Sequence, residues 1–306
     1  MPIEIETINF GGWPNCRRLS DGVVEVVVTT DVGPRLVRFG FVGGPNEFRE
    51  YPDLQGLTGG DTWRMYGGHR LWHAPEDLAR TCQPDNAPVL VEPLQDGLRF
   101  VQPVEAATGL QKEIDLRLRP GSAHVRVAHR LRNCGLWTVP LAPWALSVMA
   151  MGGTAIIPLP PRGTHPENLL PASHLVLWAY TDMSDPRWTW GQKYLLLRQD
   201  PGAQTPQKLG ASVPDGWTAY ARDGHLFVKR FAYVPGAPYP DTGCAVETFT
   251  DATMIELETL GPLVDLAPRA TVEHVEDWYL FDNVPMPRND ADVEAQVLPR
   301  VAETRQ

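Results

Sequence analysis

The 306 residues include 43% hydrophobic and 21% charged side chains, a globular balance with enough apolar surface for a sizeable core, so composition argues against disorder. The formal charge of −10 repels both a phosphate backbone and an anionic bilayer, which points away from nucleic acid and membrane partners and toward a neutral small ligand. The length suits either two domains or one large β-sandwich.

The 27 glycines and 30 prolines are scattered rather than gathered into a linker, the pattern of many short strands joined by turns. Cys16, Cys82, Cys134 and Cys244 stand far apart without a CxxC pair, so reduced thiols are expected rather than a zinc site or a disulfide framework. The opening MPIEIETINF has no apolar stretch of the signal-peptide kind, and no run approaches the roughly 20 apolar residues of a membrane helix. A cytoplasmic protein is the expectation.

In chain order, residues 23–41 (VVEVVVTTDVGPRLVRFGF) read as two β-branched runs bent at Gly33-Pro34. Residues 65–76 (MYGGHRLWHAPE) form the densest cluster of chemistry in the chain, and the tandem glycines allow backbone shapes closed to other residues. Residues 98–133 alternate with period two around a turn at Pro120-Gly121-Ser122. Arg117, Arg119, Arg126 and Arg130 fall on one face, as in an antiparallel pair with one wet side. Further strands are predicted over 141–151, 154–158, 175–180, 193–198, 217–221, 226–234, 244–249, 254–260 and 271–281. Helix is confined to short turns over 75–80 and 290–301, and no 20–50-residue repeat is present. The prediction is an all-β chain: a single sandwich of stacked antiparallel sheets over residues 1–285, with a C-terminal tail over 286–306 that is helical or packed on the sandwich.

Three stretches carry a resemblance: VVVTTDVGPRLVRF; KEIDLRLRPGSAHVRVAHRLRNCG with PLAPWALSVMAMGG; and GCAVETFTDATMIELETLGPLVDLAPRATVEHVEDWYLF. Together they span about residues 23–281 and resemble the galactose mutarotase (aldose 1-epimerase) superfamily, more narrowly its DUF4380-type proteins. The resemblance implies a small-molecule carbohydrate partner and no cofactor. It also implies acid–base chemistry across a sugar ring, with a glutamate on a late strand as base and a histidine as acid. Glu247, in GCAVETFTDA, stands at the family's glutamate, and His69 is similar to the histidine of the HGG motif, although the order here is GGH. The family's NHxYF histidine has no counterpart in APWALSVMAMGG, so an acid is sought among His69, His73, Lys208 and Lys229.

Residue chemistry adds to this. A carboxylate in so apolar a strand as that of Glu247 needs a cavity or a cation, and Glu256 and Glu258, which share one face by period two, are its rivals. His69 and His73, with a carboxylate, are alternatively a metal set, though no HExxH pattern supports a metal. Arg64 and Arg70 can fork onto hydroxyls or pair with Asp61 or Glu76. Trp72 and Trp144 offer stacking planes for a sugar or serve as core. Lys208 either points into the cleft or is solvated, and Asp241 sits at the mouth of the Glu247 strand or caps its turn.

Overall fold

A computed structural model describes residues 3–305. In chain order its strands are β1 (Glu4–Phe10), β2 (Trp13–Ser20), β3 (Val24–Val28), β4 (Leu36–Phe41), β5 (Gly68–Ala74), β6 (Leu90–Leu94), β7 (Gly97–Val101), β8 (Leu110–Leu118), β9 (His124–Asn133), β10 (Val139–Met149), β11 (Thr154–Pro158), β12 (Leu175–Leu177), β13 (Trp188–Trp190), β14 (Tyr194–Arg198), β15 (Gln207–Ala211), β16 (Trp217–Arg222), β17 (His225–Phe231), β18 (Val246–Thr250), β19 (Ile255–Leu260), β20 (Val264–Leu266) and β21 (Thr271–Phe281). The first sheet runs β1-β2-β3-β4-β5-β10-β19-β18-β15-β12 with β20 joined to β10, and the second runs β13-β14-β11-β16-β17-β21-β9-β8-β7-β6. The protein is thus an all-β sandwich of two large antiparallel sheets.

The sheets close on an aromatic knot. Trp278 lies 5.6, 5.7 and 5.5 Å from the rings of Phe39, Phe48 and Phe227, centroid spacings at which tilted and edge-on rings attract. The predicted alternation over 98–133 becomes the hairpin β8–β9, where Arg117 pairs across from Arg126. On its wet side Asp115 gathers Arg99, Arg117 and Arg130, which relieves the repulsion between those cations.

Several strands escaped the sequence reading: β1 and β2, β6, β13, β15, β20, and above all β5, the histidine-rich segment. A helical tail follows the last strand over residues 290–303, with a π-type turn at Val293–Val297. Its Val293, Val297 and Val301 are buried with Ile156, Leu196 and Trp217 of the second sheet. Among the described residues no helix is long and apolar enough to cross a membrane.

Candidate functional site

The site grows from β5. Gly67 and Gly68 have φ of 82° and 65°, and a Cβ on Gly68 would stand 2.1 Å from the carbonyl oxygen of Leu36, so only glycine lets this strand close against β4. From Gly68 onward the period-two pleat divides the side chains. His69, Leu71 and His73 turn toward the second sheet; Arg70 and Trp72 turn away from it.

Register carries that outer face across four more strands. Arg70 is opposite Leu146, and Leu146 is opposite Glu258. Glu258 is opposite Glu247, and Glu247 opposite Gly210. One row over, Glu256, Phe249 and Lys208 follow in the same order, and Trp72 lies beside Trp144. Above this face is a cavity of about 420 Å³ whose wall includes Arg70, Trp72, Trp144, Lys208, Phe249 and Glu256. Connecting segments complete it with Trp63 and Met65 before β5, Glu76, Leu78 and Cys82 after it, Tyr180, and Met254 from the β18–β19 turn.

Both cations of the site rest on indoles. The guanidinium of Arg70 is 4.2 Å from the Trp72 ring and 5.6 Å from Trp63, and the ammonium of Lys208 is 4.8 Å from Trp144 and 4.7 Å from Trp178, within the range of cation–π attraction. Arg70 donates to Glu256 at 3.0 Å, but its Nε has no partner and its Nη1 reaches only the sulfur of Met65. Lys208 Nζ stands 2.8 Å from Glu247 and 3.6 Å from Glu258. That ammonium is the one polar partner of Glu247 among the described residues. Glu258 accepts from the Trp144 indole at 2.7 Å through Oε2 and leaves Oε1 without a partner. Trp63 Nε1 is likewise buried and unpartnered.

Burial dominates the protonation of this group. It drives Glu247 well above the ordinary carboxylate range, Lys208 pulling the other way and Glu258 adding to the rise. Glu258 is pushed up to about 7 by burial, with Lys208 opposing and Glu256 reinforcing. For Lys208 burial opposes the charge, but Glu258 and Glu247 outweigh it and hold the ammonium above the usual lysine range.

The inner face of the same strands is different, and it revises the expectation that His69 and His73 face Glu247 across one hollow. His69, 0% exposed, lies between the sheets: Nδ1 is 2.8 Å from Ser147 Oγ and Nε2 is 2.7 Å from His129 Nε2. His129 Nδ1 donates to the carbonyl of His274. Thr259 meets both His274 and Glu276, and Glu276 also accepts from Lys229 and the Trp278 indole. Burial keeps these imidazoles neutral, lowering His69 well below its usual range and His274 to about 3.

His73 is also inward and buried, lowered to about 3 by desolvation and Lys112. Extended backbone separates it from His69 by about 13 Å, so the two imidazoles cannot share a metal ion. His69, His129 and Glu276 do come within 4.8 Å of one another. The 2.7 Å between the two imidazole nitrogens is nevertheless a hydrogen bond, shorter than the roughly 3.3 Å that two nitrogens on one tetrahedral zinc would keep.

Of the other residues singled out from sequence, Arg64 lies outside the cavity, donating to the Tyr66 hydroxyl at 3.0 Å. Asp241 sits in the turn before β18 with φ of 49°, and its carbonyl accepts from the Cys244 thiol. Lys229, one of the four candidate acids, belongs to the inner network. Trp63 is part of the wall, and Trp178, which no sequence signal marked, lies against Lys208.

No protein-family model matches the chain, and no curated protein matches it. Solved structures do. Protein Slr1438 from Synechocystis sp. PCC 6803 superposes with a TM-score of 0.57 at 13% identity over 91% of this chain and 99% of its own. A galactose mutarotase-like protein from Lactobacillus casei gives 0.54 at 10% identity over 87% and 100%, and another from Clostridium acetobutylicum gives 0.50 at 12% over 92% and 98%. The fold is galactose mutarotase-like. A mutarotase-like sandwich at such low identity establishes architecture and leaves the chemistry to the site itself.

Proposed function

We propose that this protein is a carbohydrate-active enzyme of the epimerase or mutarotase kind, acting by acid–base chemistry on a sugar held in the cavity above Arg70, Trp72, Trp144 and Lys208. One observation carries the reading: unpartnered buried donors on Arg70 and Trp63 border an indole-walled hollow, and two buried carboxyls, Glu247 and Glu258, lie beneath it against Lys208. Buried polar groups left unpaired cost about 1–3 kcal/mol each, and a polyhydroxylated ring answers the donors with its hydroxyl oxygens while its CH faces stack on the indoles. Glu247 stays a proposed member of the acid–base machinery, reached through Lys208, and Glu256 and Arg70 become hydroxyl binders.

Saturation-transfer NMR on a panel of free aldoses tests it. Exchange between anomers that is faster with protein than without supports the enzyme; no contact with any aldose removes the sugar. A second reading, a binding protein without turnover, is favoured by one fact: among the described residues no histidine lines the cavity. Saturation of ring protons without anomeric exchange would select it.

A further inference from the structure

Beneath the cavity, one ammonium serves two acids. Glu247 on β18 and Glu258 on β19 are direct cross-strand partners, each 0% exposed, with Lys208 against both. A single cation offsets one carboxylate; a second one at that depth is costly unless it takes up a proton. Among the described residues two further cations act on Glu258, and each already has a carboxylate partner: Arg70 is engaged by Glu256, and Lys229, on the inner face, by Glu276. Glu256, Asp241, Tyr180 and Cys244, the remaining titratable neighbours, are acidic or neutral.

The two carboxyls are also unequal. Ionised Glu258 is stabilised by the Trp144 indole as well as by the Lys208 ammonium, whereas Glu247 has the ammonium alone, at 2.8 Å. Resting on the acid–base reading above, we propose that Glu247 and Glu258 are one carboxyl pair sharing a single proton, held at rest on Glu247, and that this pair, working through Lys208, fills the place of a histidine acid.

Lys208 lines the cavity and is the catalytic residue; the two glutamates are positioning residues that hold the proton behind it. Lys208 gives a proton to the ring oxygen as the bond from that oxygen to the anomeric carbon breaks and its electrons stay on the oxygen. The proton on Glu247 then refills the amine. The anomeric hydroxyl proton passes through the same ammonium to ionised Glu258 as the O–H electrons form the carbonyl. The ring-opened state has one proton on the pair and a full ammonium, with the proton now on Glu258; ring closure returns a proton from Glu258 through Lys208 to the carbonyl oxygen and takes the ring hydroxyl proton back to Glu247, which restores the resting state.

Carbon-13 NMR of the full chain, labelled at the glutamate δ-carboxyl and titrated with acid and base, tests the pair without any sugar. The expected result is a carboxyl titrating near neutral pH, assigned by its change in Glu258→Gln and Glu247→Gln. In each variant the surviving carboxyl should fall by about one pH unit or more, because Lys208 then serves it alone. Two glutamates that titrate independently, neither moving when the other is replaced, overturn the proposal. If a variant does not fold, a wild-type titration with no glutamate above pH 6 overturns it equally.

On galactose, saturation transfer should show anomeric exchange about 100-fold slower in either variant, with the wild-type rate declining as pH rises past neutral and that decline absent from the variants. A titrating pair without exchange on any aldose sinks the sugar reading and keeps the shared proton. Exchange without such a pair sinks the shared proton and keeps the sugar.

Discussion

The two faces of β5, β10 and β19 make a natural comparison, because they use similar residues for opposite ends. Toward the second sheet, Lys229 and Glu276 are paired at 3.0 Å inside a network in which His69, His129, His274, Ser147, Thr259 and Trp278 are all hydrogen-bonded. Away from it, Lys208 is divided between two glutamates, and atoms of Arg70, Trp63, Glu247 and Glu258 lie unpartnered at or under the cavity, whereas other such atoms, His73 Nδ1 on the inner face among them, border no part of it. A polar network closed on itself rigidifies a core, and one left open at a cavity is ready for a ligand. The lesson is that density of histidine and charge does not mark a site; unfinished hydrogen bonding beside a cavity does.

The comparison breaks or sharpens under substitution. The largest effect belongs to Lys229→Met, which leaves Glu276 buried without its cation and should lower unfolding free energy by about 3–5 kcal/mol in urea titration. Glu258→Gln on the outer face should change stability by about 1 kcal/mol or less, since it removes an acid that Lys208 only half serves, while abolishing most exchange. Equal losses in the two variants would erase the distinction between the faces.

Acid separates them next. The buried histidines have folded-state values below their unfolded one, so the unfolded chain binds more protons and stability falls as pH drops below about 6.5, by up to about 1.4 kcal/mol per pH unit for each such group. For His274 and His73 the loss continues toward pH 3. Glu247 and Glu258 act in the opposite sense: their raised values make the folded chain the better proton binder, a contribution full below about 4.5 and lost as pH rises through about 7 for Glu258. Urea midpoints measured from pH 7 to 5 should therefore fall more steeply in Glu258→Gln than in the wild type.

The smallest effect is expected for Trp63→Phe. It keeps a ring at the cavity but deletes the unpartnered Nε1, so aldose affinity measured by NMR titration should weaken about 5-fold, near 1 kcal/mol, with the urea midpoint unchanged.

Much of the architecture was legible because strands with one wet face announce themselves. The arginines of β8 and β9 alternate with core residues, and that period predicts the hairpin directly. β5 gave no such signal: all seven of its residues are buried, inward by the second sheet and outward by the site, so GHRLWHA shows no polar–apolar alternation. Read as a strand, it would have separated His69 and His73 from Arg70 and Trp72 at once. The partnership of Glu247 with Glu258 was nearer to hand, since β18 and β19 are joined by the short turn around Asp251, whose side chain accepts from the Thr253 and Met254 amides. Two glutamates directly opposite each other are what hairpin register avoids unless a cation or a proton intervenes.

By itself, the sequence determined the β class, the antiparallel hairpins and the glutamate-bearing late strand, because strand periodicity and turn chemistry are local. Tertiary structure alone decided which face each buried side chain takes and that Lys208 on β15 bridges Glu247 on β18 and Glu258 on β19, with β16 and β17 of the other sheet intervening along the chain. Those outcomes depend on strand order, which brings β5, β10, the β19–β18 hairpin and β15 side by side although these pieces are far apart along the chain, and no local pattern encodes that order.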